Sequence, residues 1–334
     1  MEEEAALDPA PDSGIKAARR EAFVGELKEV NRIALPMIVV TVSQYLLRTS
    51  PMLMLGHLGE LPLSSASIAT SLCNVTGFSL LNSSTCKRSH ATFSRDVYLT
   101  MGDFFRFAIP SAVMVCLEWW SFELIVLLSG ILPNPKLETS VLSICLTTTS
   151  VHYHIPYSFG AAASVRVSNA LGGGKPEAAR VSLIAVLVLS ATEVILASLT
   201  IFCCRSVWGH VFTYEQEVIG YVKKMVPLLC LSILLDGTQA VLSGVARGTG
   251  WQSIGAYVNL GSYYLVGVPA ALLLGFVLHL KGQGLWGGLV AGALVQCTAF
   301  SLITAFTDWG KQAIAARQRL LDNKRMPSQI EFLE

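Results

Sequence analysis

The sequence predicts an all-α polytopic membrane protein, a helical bundle of about eight transmembrane spans. Two features of composition support this fold class: only 14% of the 334 residues are charged, and 52% are hydrophobic. A soluble domain carries roughly 25% charged residues. The third observation is that several apolar runs reach the roughly 20 residues that a helix needs to cross a bilayer. A membrane β-barrel would instead show short segments of alternating polarity.

The apolar runs define the elements in chain order. Eight runs are long enough to span a membrane: 33–56, 61–81, 107–131, 139–163, 181–203, 225–246, 254–279 and 284–306. The segment before the first run starts acidic and has no apolar core, so no cleavable signal peptide is expected. We expect residues 1–31 and 307–334 to be cytoplasmic tails and residues 82–103 to be a basic cytoplasmic loop.

The distribution of lysine and arginine predicts the orientation of the chain. These residues concentrate in the short cytoplasmic loops of membrane proteins. With the N-terminus on the cytoplasmic side, eighteen of the 24 fall in cytoplasmic segments, five in external segments and one, Arg48, within a span. Both termini are therefore predicted to be cytoplasmic.

Two acidic residues, Glu118 and Asp236, lie within apolar spans. An ionised carboxylate at the centre of a bilayer costs roughly 2.5 to 3.5 kcal/mol, so each residue is a functional-site hypothesis. Trp119 and Trp120 follow Glu118, and a carboxylate beside aromatic faces can hold an organic cation by charge and cation–π attraction. The alternative is a neutral, hydrogen-bonded structural acid, with the tryptophans facing lipid or core.

Asp236 begins a polar series on its span. Asp236, Gln239, Ser243 and Arg247 recur at spacings of three and four residues, so they share one helix face. A polar face at membrane depth must line protein or water and not lipid. We expect Arg247 to cap the cytoplasmic end of this helix. Glu193, within the fifth span, is a weaker candidate for the site.

The other reactive residues give no metal, cofactor or catalytic signature. None of the eight cysteines forms a cluster with zinc-ligand spacing. His152 and His154 point in opposite directions on a helix and make a poor metal pair, although His154 is an alternative cavity residue. The run Gly172–Pro176 lacks the spacing of a phosphate-binding loop and indicates a tight turn. We therefore expect neither a metal nor a cofactor, and no enzyme.

A short internal repeat is visible at two span entrances. Arg32-Ile-Ala-Leu-Pro36 enters the first span and Arg106-Phe-Ala-Ile-Pro110 enters the third, at an offset of 74 residues. Related halves are typical of secondary transporters. The same offset places Gln44 opposite Glu118, so the amide of one half corresponds to the acid of the other. Gln44 is accordingly a further candidate for the cavity wall.

Four long blocks carry a resemblance to a known family. The blocks are LGHLGELPLSSASIATSLCNVTGFSLL (55–81), IPSAVMVCLEWWSFELIVLLSGILPNPKLETSVLSICL (109–146), RVSNALGGGKPEAAR (166–180) and LSGVARGTGWQSIGAYVNLGSYYLVGVPAALLLGF (242–276). In this order they resemble the plant branch of the multidrug and toxic compound extrusion (MATE) family. The resemblance implies two six-helix lobes and a cation-coupled antiporter that exports or sequesters organic compounds. It implies the plasma membrane or the vacuolar membrane as the location.

The chain departs from the family in its first half. The family has twelve spans, whereas here the second span is followed directly by a segment that resembles the loop before the family's seventh. Residues 32–81 therefore resemble a partial N-terminal lobe of two spans, and residues 104–306 a complete C-terminal lobe of six. The loss of four helices is expected to expose the Asp236 face to lipid. We expect the chain to self-associate or to be poorly stable for that reason.

Three hypotheses of function follow from the sequence. In the first, Glu118 and Asp236 exchange protons for a small organic substrate, cationic or polyaromatic, with sodium as the alternative coupling ion. In the second, the chain is a truncated, non-transporting or regulatory form of such a transporter. The third, an acid-dependent intramembrane enzyme, lacks a nucleophile or metal motif. Nucleic acid is not an expected partner.

Overall fold

The fold is known from a computed structural model, which describes the backbone of residues 12–56 and 95–330. Side chains are described for residues 19–46 and 108–319. Within these ranges every long element is a helix and no β-strand occurs. The prediction of an all-α bundle is confirmed.

The described residues form eight long helices. They are α1 (Asp12–Gly56), α2 (Arg95–Ser129), α3 (Pro135–Gly172), α4 (Pro176–Cys203), α5 (Gln216–Thr249), α6 (Gln252–Val277), α7 (Lys281–Ala305) and α8 (Trp309–Ile330). Helix α6 is irregular, because π-helical turns at Leu260–Gly267 and Leu273–Val277 interrupt it. Helix α1 begins within the predicted N-terminal tail, and α8 lies within the predicted C-terminal tail.

Seven of the eight predicted spans lie within or largely within these helices. Five helices, α2 and α4 to α7, are long and apolar enough to cross a membrane within the described residues. Helix α3 encloses the predicted span 139–163 but is not among the five, because Ser, Thr and His residues interrupt its apolar sequence. The predicted span 61–81 lies outside the described residues, and the division into two lobes stays a prediction.

The helix ends follow the turn residues in the sequence. Gly174 adopts a positive φ of 70° between α3 and α4, a conformation that costs glycine little. Pro176 then begins α4, where its missing N–H leaves no hydrogen bond unmade. Gly250 ends α5 in the left-handed conformation, and its N–H bonds to the carbonyl of Arg247. The tight turn predicted at Gly172–Pro176 is confirmed.

Helices α3 and α5 cross closely at the centre of the bundle. A Cβ atom at Gly244 of α5 would collide with the backbone carbonyl of Gly160 on α3. A Cβ atom at Gly160 would in turn collide with the carbonyl of Ala240. Small residues at such crossings let membrane helices pack backbone to backbone. This contact determines which face of α5 is directed toward the interior of the bundle.

Helix α1 packs along α3 and α4. Val30 and Ala34 are fully buried in this contact. Ahead of the predicted first span, Glu26 accepts hydrogen bonds of 2.6 Å from Nε and Nη2 of Arg166 on α3. The Ser182 hydroxyl on α4 donates a third, also 2.6 Å long. One carboxylate therefore joins three helices.

The charge on Glu26 is favoured by these donors. Burial alone would raise the pKa of its carboxyl, but the hydrogen bonds from Arg166 and Ser182 and the Arg166 charge outweigh burial. The pKa of Glu26 consequently lies below its ordinary value of 4.5. The hydrogen bond to Glu26 also raises the pKa of Arg166, against the opposing effect of burial. The pair is ionised on both sides at neutral pH.

Candidate functional site

Glu118 lies on α2 with only 8% of its surface exposed. Its Oε2 atom faces three amide nitrogens that come from three other helices. Gln239 Nε2 on α5 lies at 3.0 Å, Gln296 Nε2 on α7 at 3.4 Å and Asn259 Nδ2 on α6 at 3.5 Å. All three groups are donors, so they stabilise a carboxylate oxygen without adding a second charge.

The other oxygen of Glu118 faces an aromatic side chain. The Tyr153 hydroxyl on α3 lies 3.5 Å from Glu118 Oε1, a long hydrogen bond. The ring of Trp119 meets the Tyr153 ring edge to face at a centroid distance of 5.7 Å. Tyr157, one turn further along α3, lies 6.0 Å from Tyr153 by the same measure. An aromatic row therefore runs from Glu118 along α3.

Glu118 and Asp236 line the same small cavity. Its wall is formed by two acids, three aromatic rings and a few small side chains: Glu118, Asp236, Trp119, Phe122, Tyr153, Leu146, Thr149 and Ser150. The cavity measures about 20 Å³, which is room for about one water molecule. Binding sites for organic ligands measure roughly 300 to 1,000 Å³. The cavity is therefore too small, in this structure, to hold an organic ligand.

The polar face predicted for α5 exists, and it points into the bundle. Asp236, Gln239 and Ser243 are buried, while Arg247 is partly exposed at the end of the series. Arg247 Nη1 donates to Ser243 Oγ at 2.9 Å, and its guanidinium lies 5.6 Å from the Tyr157 ring centroid. The expectation that this face is exposed to lipid is wrong, because other helices of the described chain cover it. Exposure of the Asp236 face therefore no longer supports self-association of the chain.

The other candidate residues lie apart from the cavity. Gln44 is exposed on α1. The residues that line the cavity wall do not include Trp120, Gln44, Gln239 or Ser243, although Gln239 contacts Glu118 directly. His154 packs against Tyr45 of α1 at a centroid distance of 4.8 Å.

A partly exposed acid, Glu193, pairs with a buried histidine. His152 Nε2 on α3 lies 3.0 Å from Glu193 Oε1 on α4. Glu193, the weaker candidate, is therefore partnered at the α3–α4 contact. His152 and His154 face different neighbours, as their spacing predicts. Within the described residues, no group of three His, Cys, Asp or Glu side chains could hold a metal ion.

Sequence reasoning missed four residues of the site. They are Tyr153, Asn259, Tyr263 and Gln296. Asn259 and Gln296 are amides within the predicted seventh and eighth spans, and both are fully buried. A polar side chain at membrane depth is a signal of function or of a polar network, so these two amides could have been found. The tyrosines gave no such signal.

The comparisons with known proteins agree with this architecture. The MatE family model matches residues 110–273. Protein DETOXIFICATION 14 of Arabidopsis thaliana is 53% identical over 250 residues, which are 75% of this chain and 52% of the relative. Protein DETOXIFICATION 13 of the same plant is 49% identical over 267 residues, covering 80% of this chain and 55% of the relative. The chain spans about half the length of the curated relatives it matches.

Two solved structures share the fold. The crystal structure of the eukaryotic MATE transporter AtDTX14 superposes with a TM-score of 0.80 at 36% identity, covering 89% of this chain and 99% of that one. An inward-facing multidrug resistance MATE family transporter of the MOP superfamily superposes with a TM-score of 0.53 at 17% identity, covering 68% of this chain and 50% of that one. The second likeness shows the fold alone. Fold and relatives define a helical integral membrane protein of the transporter class. The chain belongs to the MATE transporter family.

Proposed function

We propose that this chain provides the proton and substrate site of a MATE-type antiporter that exchanges protons for small organic compounds. The observation that carries the proposal is the shared cavity of Glu118 and Asp236. Two acids facing one buried space can bind either a proton or a positively charged group. Occupation by one removes the charge that attracts the other. Such competition is the basis of exchange.

The aromatic row favours organic cations and polyaromatic compounds as substrates. Trp119, Phe122 and Tyr153 border the cavity beside the two acids. Aromatic faces attract cations and offer apolar area to flat ring systems. The cavity must widen before such a molecule can enter. Opening a site to one side of the membrane at a time is the general mechanism of these transporters.

Protons are the proposed coupling ion, with sodium as the alternative. The groups next to Glu118 Oε2 are hydrogen-bond donors, whereas a sodium ion requires oxygen ligands. The proposed location is the plasma membrane or the vacuolar membrane, with both termini in the cytoplasm. This orientation rests on the lysine and arginine distribution.

A second candidate is a non-transporting or regulatory form of such a transporter. The observation that favours it is length, because the chain spans about half of its curated relatives. Alternating access moves one lobe against the other. A chain that carries a single lobe would not complete this movement by itself.

Uptake into vesicles separates the two candidates. The purified chain is inserted into lipid vesicles, and a pH gradient is imposed in the presence of labelled tetraethylammonium. Accumulation that follows the pH gradient and not a sodium gradient supports proton antiport. Absence of accumulation, with insertion verified by protease accessibility, supports the non-transporting form. Accumulation driven by a sodium gradient would show that sodium, and not the proton, is the coupling ion.

A further inference from the structure

Two of the three amides around Glu118, Asn259 and Gln296, are held in one orientation by a chain of hydrogen bonds. Asn259 Nδ2 donates to the backbone carbonyl of Met114 at 2.6 Å. A carbonyl oxygen can only accept, so the Asn259 atom that faces it must be the amide nitrogen. Asn259 Oδ1 then accepts from Gln296 Nε2 at 2.8 Å. The backbone of α2 therefore sets the orientation of both amides.

Tyr263 completes this chain. Because the nitrogen of Gln296 points toward Asn259 and Glu118, its Oε1 atom points away, and there it accepts from the Tyr263 hydroxyl at 2.9 Å. Tyr263 is fully buried, as are Asn259 and Gln296. Turning either amide would set an oxygen against an oxygen in a buried site. Buried polar groups without a partner are costly, so the orientation is stable.

The two oxygens of Glu118 consequently differ in what they can accept. Oε2 has three amide N–H groups directed at it, and none of these nitrogens can accept a proton in return. A hydrogen on Oε2 would point at one of these donors. Oε1 lies 3.5 Å from the Tyr153 hydroxyl, and Glu118 and Tyr153 both line the cavity. A hydroxyl can both donate and accept, so it tolerates either protonation state of Glu118.

We propose that Glu118 takes its proton on Oε1, and that Asn259, Gln296 and Tyr263 are positioning residues that hold Oε2 as a permanent acceptor. One proton from the aqueous phase adds to Oε1 and the carboxylate becomes a neutral carboxylic acid. The Tyr153 hydroxyl then turns from donor to acceptor. The carbonyl of the acid is Oε2, still held by the amides. The proposal deepens the proposed function, since it assigns the proton to one atom of that site.

The other charged and titratable groups near Glu118 leave this assignment unchanged. They are Asp236 and Arg247 on α5, Tyr153 on α3, Tyr263 on α6, Cys297 on α7, and Cys116 and Glu123 on α2 itself. Asp236 lines the same cavity as Glu118 and Tyr153. The pH response of the site therefore belongs to both acids together, whereas the choice between the two oxygens depends on the amides.

Infrared difference spectroscopy tests the assignment without requiring transport. The pH of the whole chain in lipid nanodiscs is varied while infrared difference spectra are recorded. The carboxylic acid C=O band of Glu118 is identified as the band that disappears in Glu118→Gln but persists in Asp236→Asn. With the proton on Oε1, the carbonyl is Oε2. Removing an amide donor in Gln296→Leu then moves this band to higher wavenumber, because the carbonyl loses a hydrogen bond. Tyr153→Phe leaves the band nearly in place.

The reverse pattern would overturn the proposal. If the proton resides on Oε2, the carbonyl is Oε1, so Tyr153→Phe shifts the band and Gln296→Leu does not. Should Gln296→Leu fail to fold, Tyr263→Phe removes one of the two bonds that orient the Gln296 amide while keeping the aromatic ring, and a shift in the same direction is expected. Tyr264→Phe is the matched control, because Tyr264 neighbours Tyr263 outside the chain of hydrogen bonds. Vesicle uptake is measured separately, so a failure to transport and a wrong assignment are distinguishable.

Discussion

Gln239 Nε2 donates a hydrogen bond to Glu118 Oε2 over 3.0 Å and so joins α5 to α2 at the centre of the bundle. Gln239 is one turn from Asp236, which lines the same cavity as Glu118. The helix that carries the second acid therefore also holds the first in place. A movement of α5 relative to α2 changes the surroundings of both acids at once.

Glu118→Gln is expected to abolish proton-coupled movement in every version of the chain that transports, including one extended to twelve spans. Glutamine keeps the volume and most hydrogen bonds but cannot take up or release a proton. The measurement is pH-driven uptake of labelled tetraethylammonium into vesicles. Glu177→Gln, at an exposed position in the first turn of α4, serves as control. Unchanged uptake with unchanged pH dependence would remove Glu118 from the mechanism.

Asp236→Asn is expected to weaken substrate binding about tenfold or more while leaving the protein folded. Asparagine retains the volume of the side chain but loses the negative charge, and hydrogen bonds to charged groups contribute about 1.5 to 3 kcal/mol. Substrate affinity is measured by tracer binding at several pH values, with folding followed by gel filtration. If the variant cannot be expressed as a folded protein, Asp236 has a structural role.

Glu26→Gln is expected to destabilise the docking of α1 by about 1 to 2 kcal/mol at neutral pH, because it removes charge-assisted hydrogen bonds. The pKa of Glu26 lies below its ordinary value of 4.5. Its contribution is therefore complete above that value and is lost as the pH falls through the lower, folded-state pKa.

Thermal unfolding in detergent at pH 7 and at acidic pH measures this effect. Glu29→Gln is the matched control, because the ion pair of Glu29 with Arg32 is solvent-exposed and three residues apart on one helix. Such surface pairs contribute about 0 to 1 kcal/mol. Equal melting temperatures for Glu26→Gln and Glu29→Gln at neutral pH would contradict the assigned role of Glu26.

Gly244→Ala is expected to destabilise the protein by about 1 to 3 kcal/mol, the usual cost of overpacking. Its new methyl group would collide with the backbone carbonyl of Gly160, so α3 and α5 must separate. Gly220→Ala lies on the same helix and meets no atom within 4 Å. This control should unfold at or above the temperature of the unaltered chain. Equal unfolding temperatures for both variants would show that the α3–α5 crossing tolerates the added methyl group.

The helices, the buried acids and the polar face of α5 were predictable from local sequence. Run length alone fixes that a segment of about 20 apolar residues crosses a bilayer as a helix. The spacing of Asp236, Gln239 and Ser243 follows from the helical repeat and needs no knowledge of neighbours. The cost of a charge in hydrocarbon likewise depends only on depth, so Glu118 and Asp236 could be recognised without a structure.

The partners of these acids were decided by the tertiary structure. Which amides reach Glu118 depends on the rotation and the neighbours of α5, α6 and α7, and these are set by contacts far apart in sequence, such as Gly160 with Gly244. Asn259 and Gln296 are 37 residues apart, and only the packing of α6 against α7 brings them together. The expected exposure of Asp236 was wrong for the same reason, because residues of α2 and α3 in the same chain lie around it. A repeat or a spacing specifies one helix at a time, whereas a buried hydrogen-bond network requires several helices in fixed register.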